Sequence, residues 1–204
     1  MTKQPTSFLE GESAMLIIID TETTGLKEPD ASIWQVGAVA LHHRQIVAQI
    51  CLLAQPRLLE QKHREVIHRC CGLSPEAIDS LTTSLPADRA AFALKNWIHT
   101  LRWSAPGEKH CLTSYNTDFD RHHLDQSPWS LSSDIPWGDC IMLQATDRLY
   151  RGAPRPGSQK SYLSLTRAAQ LLRLSEEQTH NALDDARLAA KVAIALDMLP
   201  ECWR

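Results

Sequence analysis

Six acidic residues stand in three short clusters: Asp20 and Glu22, Asp118 and Asp120, Asp184 and Asp185. Asp20-Thr21-Glu22 closes the apolar run that begins at Met15. Residues two apart on a strand share a face, so both carboxylates can aim at one point. The second cluster is Tyr115-Asn116-Thr117-Asp118-Phe119-Asp120, where a short strand runs into a helix that Asn116 can cap and Phe119 can anchor. The third is His180-Asn181-Ala182-Leu183-Asp184-Asp185, with Asn181 as a cap, Asp185 in the first turn and one of the two aspartates facing solvent. His180 precedes the helix and can reach a point that Asp185 also touches. Convergent carboxylates beside a titratable imidazole are the parts of metal-assisted or acid–base chemistry. Each cluster alone also has a plain structural reading. Asp-x-Glu before Thr23-Thr24-Gly25 describes a polar turn, acids at a helix start complement its dipole, and a histidine before a helix caps it.

The elements that must bring these clusters together are legible in the apolar pattern. Met15 to Asp20 is too short and too uniformly apolar for a helix and predicts a central buried strand. Two further strands are expected over Ile33 to Leu41 and Gln45 to Leu53, joined by His42-His43-Arg44 into an antiparallel meander beside the first. Pro86 to Leu101 carries Phe92, Leu94, Trp97, Ile98 and Leu101 close to a helical stripe. Beyond it come a strand over Cys111 to Tyr115 and helices starting at Phe119, over Cys140 to Leu149, over Tyr162 to Leu174, and over Ala182 to Leu199. Gly152 to Gly157 is a loop, with two prolines and two glycines. Residues 1–14 form a loose leader, 15–200 one domain, and 201–204 a short tail. Meandering strands followed by alternating helices and strands indicate an α/β domain with a mixed sheet. Its first strand would end at the site, where open α/β sheets place their ligands.

DTETTG, NxxFD and HxxxxD occur in this order, 100 residues apart from Asp20 to Asp120 and 65 from Asp120 to Asp185. The set resembles the DEDDh 3′→5′ exonuclease family, which includes polymerase proofreading subunits, exonuclease X, RNase T and oligoribonuclease. The resemblance runs from about Met15 to Leu199. It implies a ribonuclease H-like fold with a five-stranded mixed sheet flanked by α-helices. It implies that Asp20, Glu22, Asp120 and Asp185 are metal carboxylates and that His180 is the general base. Ile33 to Val39 is similar to the family's second strand, with Gln35 where a glutamate is usual. Ile67-His68 and Gly72-Leu73-Ser74 resemble the family's Ile-His-Gly-Ile-Thr stretch with extra residues between. Asp139 resembles a structural aspartate. Asp118 is an added carboxylate beside the matched Asp120.

Four gathered carboxylates repel one another without cations, and oxygen donors suit Mg²⁺ or Mn²⁺ rather than zinc. The resemblance implies two such ions per site, with Asp20 between them, Glu22 and Asp185 on the one that activates water, and Asp120 on the other. An imidazole titrates near neutral pH and suits removal of the water's proton. The expected activity is hydrolysis of phosphodiester bonds in DNA or RNA from the 3′ end, releasing nucleoside 5′-monophosphates. By the same resemblance, Thr23, Gly25, Leu26, His68 and Asn116 would contact the substrate, with Leu26 near the terminal base. The alternative is a catalytically silent nucleic-acid-binding or partner-docking module on the same fold, which loss of a metal carboxylate would signal; none is lost. A nucleotide-binding regulator lacks its glycine-rich phosphate loop.

The composition bounds these readings. The chain has 204 residues, 43% hydrophobic and 22% charged, and a formal net charge of −3. That mild acidity argues against coating nucleic acid through bulk positive charge, yet Arg148 to Ser175 holds six basic residues and no acid. Arg151, Arg155 and Lys160 in that stretch could track a phosphate backbone. Trp129 and Trp137 could stack on bases, although core or surface packing is the commoner role for such residues. The expected partner is nucleic acid with a free 3′ end, single-stranded DNA first and RNA second, with a polymerase or other nucleic-acid-processing protein as a possible associate. No apolar run reaches membrane-spanning length, and no secretory signal is read. The six cysteines show no CxxC pair, so reduced thiols and a cytoplasmic setting are expected. Cys70 and Cys71 with His63 and His68 lack a second ligand pair at zinc-finger spacing.

Overall fold

The computed structural model describes residues 14–133, 135–150 and 162–198. The leader, the tail, the Gly152 to Gly157 loop and the Arg151, Arg155 and Lys160 group lie outside the described residues, apart from the backbone of Ala14. Strand β1 (Ala14–Thr23) is followed by β2 (Ile33–His42) and β3 (Gln45–Leu53). Helices α1 (Gln61–Cys71), α2 (Pro75–Ser80) and α3 (Ala87–Ser104) lead to β4 (Lys109–Thr113). Then come α4 (Thr117–Leu124), α5 (Ile141–Leu149), α6 (Leu165–Leu171) and α7 (Ala182–Ala195).

The sheet order is β3-β2-β1-β4, with the first two pairings antiparallel and β1 parallel to β4. The mixed sheet flanked by helices is the expected class, but it has four strands among the described residues rather than five. Beside β4, among the described residues, a single parallel bridge forms, between Leu112 and Trp137. Leu112 N–H donates to Pro136 O and Gly138 N–H to Leu112 O. Pro136 has no N–H to extend that ladder. The β2–β3 hairpin turns on His43 and Arg44, both at positive φ (46° and 64°), the twist-compatible geometry of a two-residue turn.

The period of two along β1 separates two apolar layers. Ile17 and Ile19 face one layer with α3 and with Leu124 of α4. Leu16 and Ile18 face the other, built from α5, α6 and α7. On β2, Val36 and Ala38 join the first layer, whereas Val39 and Leu41 join the second. Parity therefore directs Asp20, Glu22, Gln35 and Gly37 to the side of α7, and Thr21 to the side of α4.

The helices depart from the apolar pattern in instructive ways. The buried line of α3 is Ala90, Ala91, Leu94, Ile98 and Leu101. Its alanines let the helix approach the sheet, and Phe92 faces outward at 61% exposure. Helices α1 and α2 give little periodic signal, because α1 buries only His63 and Ile67. Helix α7 ends at Ala195 and α6 spans Leu165–Leu171, both shorter than the apolar pattern suggests.

Candidate active site

Strand β1 continues past its apolar run to Thr23, so Asp20 and Glu22 are held by strand geometry and not by a turn. Glu22 lies opposite Gln35 and Asp20 opposite Gly37 in the β1–β2 register. Helix α7 brings Asp185 against this face. Its first turn is capped by Asn181, whose side chain accepts from Leu183 N–H (3.2 Å) and Asp184 N–H (3.4 Å). Asp185 is 1% exposed and accepts from Thr179 N–H at 2.9 Å, while Asp184 faces solvent and pairs with Arg187. His180 has a left-handed backbone, φ 55°, unusual for a residue with a side chain. It is exposed at the edge of the site. Donor atoms of Glu22, His180 and Asp185 lie within 4.8 Å of one another.

Asp120 arrives from the opposite layer. It sits in the first turn of α4, is 2% exposed, and accepts a 2.7 Å hydrogen bond from the Thr21 hydroxyl. Asp118, on the same turn, is exposed. Asn116 occupies the N-cap position of α4 but makes no side-chain cap bond, and Phe119 is half-buried against the His123 ring rather than fixed in the core.

The electrostatics describe a site crowded with negative charge. Burial, then the charges of Asp120, Glu22 and Asp185, push Asp20 well above the usual carboxylate range. Burial pushes Glu22 up to about 7, despite a hydrogen bond from Cys71. Asp120 is pushed up to about 6 by burial, against the pull of the Thr21 hydroxyl. Burial likewise raises Asp185, while Thr179 N–H draws it down. Carboxylates that disfavour each other's ionisation in this way form a ligand set suited to cations. Their oxygens match the hard-donor preference of Mg²⁺ and Mn²⁺. The residues present fit such ions.

The loop after β1 carries the expected substrate residues. The Thr23 hydroxyl donates to Gly25 O. A Cβ on Gly25 would meet Glu28 Oε2 at 2.7 Å and Ala31 Cβ at 3.3 Å. Leu26 projects at 69% exposure, and its carbonyl accepts from His123. Asn116 is exposed one residue before α4. His68 is exposed on α1, with Nδ1 2.9 Å from Leu73 O. Trp129 is 4% exposed and belongs to the core, and Trp137 is partly buried against the same apolar layer. In the basic stretch, Arg148 is tied to the carbonyls of Leu196 and Asp197, which makes it a brace for the end of α7. Asp139 accepts at its carbonyl from Thr113 and at its carboxylate from Gln144, a structural role. The five cysteines among the described residues are free thiols.

Five contributors to the site carry weaker sequence signals: Thr21, Gln35, Gly37, Cys71 and Thr179. Thr21 stands between two acids of the motif, and strand parity assigns it to the other face. Gly37 is visible as a lone glycine in a strand, a mark of close backbone approach. Cys71 donates its thiol to Glu22 Oε2 at 3.3 Å, a contact that follows only from the course of α1.

The family model described as "RNase_T: Exonuclease" matches residues 17–193. The chain belongs to this exonuclease family. Its matched span covers every carboxylate of the site and His180. Among solved structures, exonuclease X in complex with 5′ overhanging duplex DNA is similar at TM-score 0.56 and 21% identity, over 89% of this chain and 90% of that one. E. coli exonuclease I in complex with a dA16 oligonucleotide is similar at TM-score 0.59 and 16% identity, over 90% of this chain but 41% of that one. A full-length 3′-exonuclease is similar at TM-score 0.62 and 18% identity, over 94% of this chain and 62% of that one. These likenesses show the shared fold, and the chain spans only about two-fifths of the length of exonuclease I. No curated protein matches the chain by sequence.

Proposed function

We propose that this chain is a metal-dependent 3′→5′ exonuclease that shortens DNA, or RNA, from a free 3′ end. Residues 15–200 are its catalytic domain in this reading. The observation that carries it is convergence. Glu22 from a strand, His180 from a loop and Asp185 from a helix bring donor atoms within 4.8 Å, beside Asp20 and the buried Asp120. A polar turn and two helix caps would give no reason for that meeting. The DNA bound in the exonuclease X and exonuclease I structures supports a nucleic-acid substrate.

Asp20, Glu22, Asp120 and Asp185 would hold two Mg²⁺ or Mn²⁺ ions, which supply charge stabilisation for the attacking and leaving oxygens of an in-line displacement. The rest falls to the chain's own side chains. His180 accepts the proton of the attacking water on a ring nitrogen, and its exposed position gives water and substrate access. Asn181 and Thr179 N–H hold His180 and Asp185 in mutual register. Thr21 steers Asp120 toward the strand carboxylates. The loop Thr23 to Leu26 lies directly beyond Glu22, where a terminal nucleotide would rest, and His123 fixes its course. The product would be a nucleoside 5′-monophosphate.

The test uses end-labelled single-stranded DNA, duplex DNA and RNA, each with Mg²⁺, Mn²⁺ or EDTA. Metal-dependent shortening of at least one substrate, abolished by EDTA, is expected. Binding without shortening under every metal condition would instead establish a silent nucleic-acid-binding module.

A further inference from the structure

Gln35 is 5% exposed and lies on β2 directly across from Glu22. Its Oε1 accepts a 3.1 Å hydrogen bond from Ala182 N–H, the first residue of α7. Its Nε2 donates to Cys51 Sγ at 3.6 Å on the neighbouring strand, which holds the amide in one orientation. The first N–H groups of a helix have no partner within it and need acceptors from elsewhere. In α7, Leu183 and Asp184 turn to Asn181, and Ala182 turns to Gln35. The bond therefore ties the strand bearing Glu22 to the helix start that follows His180 and carries Asp185. Both acceptors are neutral amides.

We propose that Gln35 is a positioning residue for the reaction. It fixes the start of α7 against β2, so that His180 and Asp185 meet Glu22 in register. This inference rests on the exonuclease reading, but one of its readouts does not. Gln35→Met keeps the length of the side chain and removes the acceptor. Gln35→Glu keeps an acceptor oxygen.

The measurements are steady-state kinetics at pH 8 with Mn²⁺ on a single-stranded oligonucleotide, and amide hydrogen exchange at Ala182. Gln35→Met is expected to lower kcat about tenfold or more with KM within about twofold, and to speed Ala182 exchange. Gln35→Glu is expected to recover kcat to within about threefold of wild type and to restore slow exchange. A Gln35→Met protein with wild-type kcat, or a Gln35→Glu protein as impaired as Gln35→Met, would overturn the proposal. If Gln35→Met does not fold, exchange in the wild-type protein decides: slow exchange at Ala182 supports the bond, and rapid exchange overturns it. A wild-type protein that shortens no substrate removes the exonuclease reading, whereas an active wild type with an indifferent Gln35→Met removes this inference alone.

Discussion

Asp118 and Asp120 share one helical turn, yet only Asp120 is buried, held by Thr21 and close enough to raise Asp20. Two residues along a helix are about 200° apart, so the two side chains cannot serve the same point. The sequence presents both acids and a plain dipole role for each; the packing of α4 on β1 separates them. Asp120→Asn is therefore expected to lower kcat by about 100-fold or more, the scale of a lost metal contact, whereas Asp118→Asn stays within about twofold. Equal losses in both variants, measured on one oligonucleotide, would contradict the assignment. His180 and Asp185 were readable from their spacing and from the Asn181 cap. The Cys71 contact with Glu22 was not, because it depends on where a largely polar helix docks.

At the scale of elements, the close meeting of β2 and α7 organises half of the site. A Cβ on Gly37 would lie 2.1 Å from Leu183 N and 2.2 Å from Ala182 C, both backbone atoms. Gly37→Ala must push α7 away from β2, carrying Asp185 and His180 with it. The expected result is a loss of about 1–3 kcal/mol of stability, typical of overpacking, together with a fall in kcat of about tenfold or more. Thermal melting and steady-state kinetics check it, and an active variant of wild-type stability would show that the two backbones are not in contact. The strands of the meander were legible because their apolar runs are continuous and β-branched. That the described residues form four strands rather than five was not, since Pro136 interrupts the ladder beside β4 after a single bridge. The mistaken burial of Phe92 has a similar cause: alanines, which carry little apolar signal, form much of the face that α3 packs on the sheet.

Across the whole molecule, the formal charge of −3 is less informative than where the acids lie. Asp20, Glu22, Asp120 and Asp185 are all raised above their ordinary values, with Glu22 at about 7 and Asp120 at about 6. A carboxyl whose pKa is higher folded than unfolded binds more protons in the native state at intermediate pH. Its contribution to stability is present at low pH and is lost as pH rises from the ordinary carboxylate range through about 7. Divalent ions restore that loss by replacing protons. Saturating Mg²⁺ or Mn²⁺, at roughly 100 times Kd, is therefore expected to raise Tm by about 5 °C or more at pH 8 and by much less at pH 5. Calorimetry at the two pH values checks this. An equal or larger metal effect at pH 5 would contradict the picture of a proton-filled carboxylate cluster.

The central claim is directional hydrolysis at this cluster. Its most direct measurement is the product pattern from a 5′-labelled single-stranded oligonucleotide incubated with Mn²⁺, alongside an EDTA control. The account predicts a ladder of labelled strands shortening from the 3′ end, with unlabelled nucleoside 5′-monophosphates released and no products in EDTA. Immediate release of the label as a mononucleotide, or an intact strand in every metal condition, would contradict it.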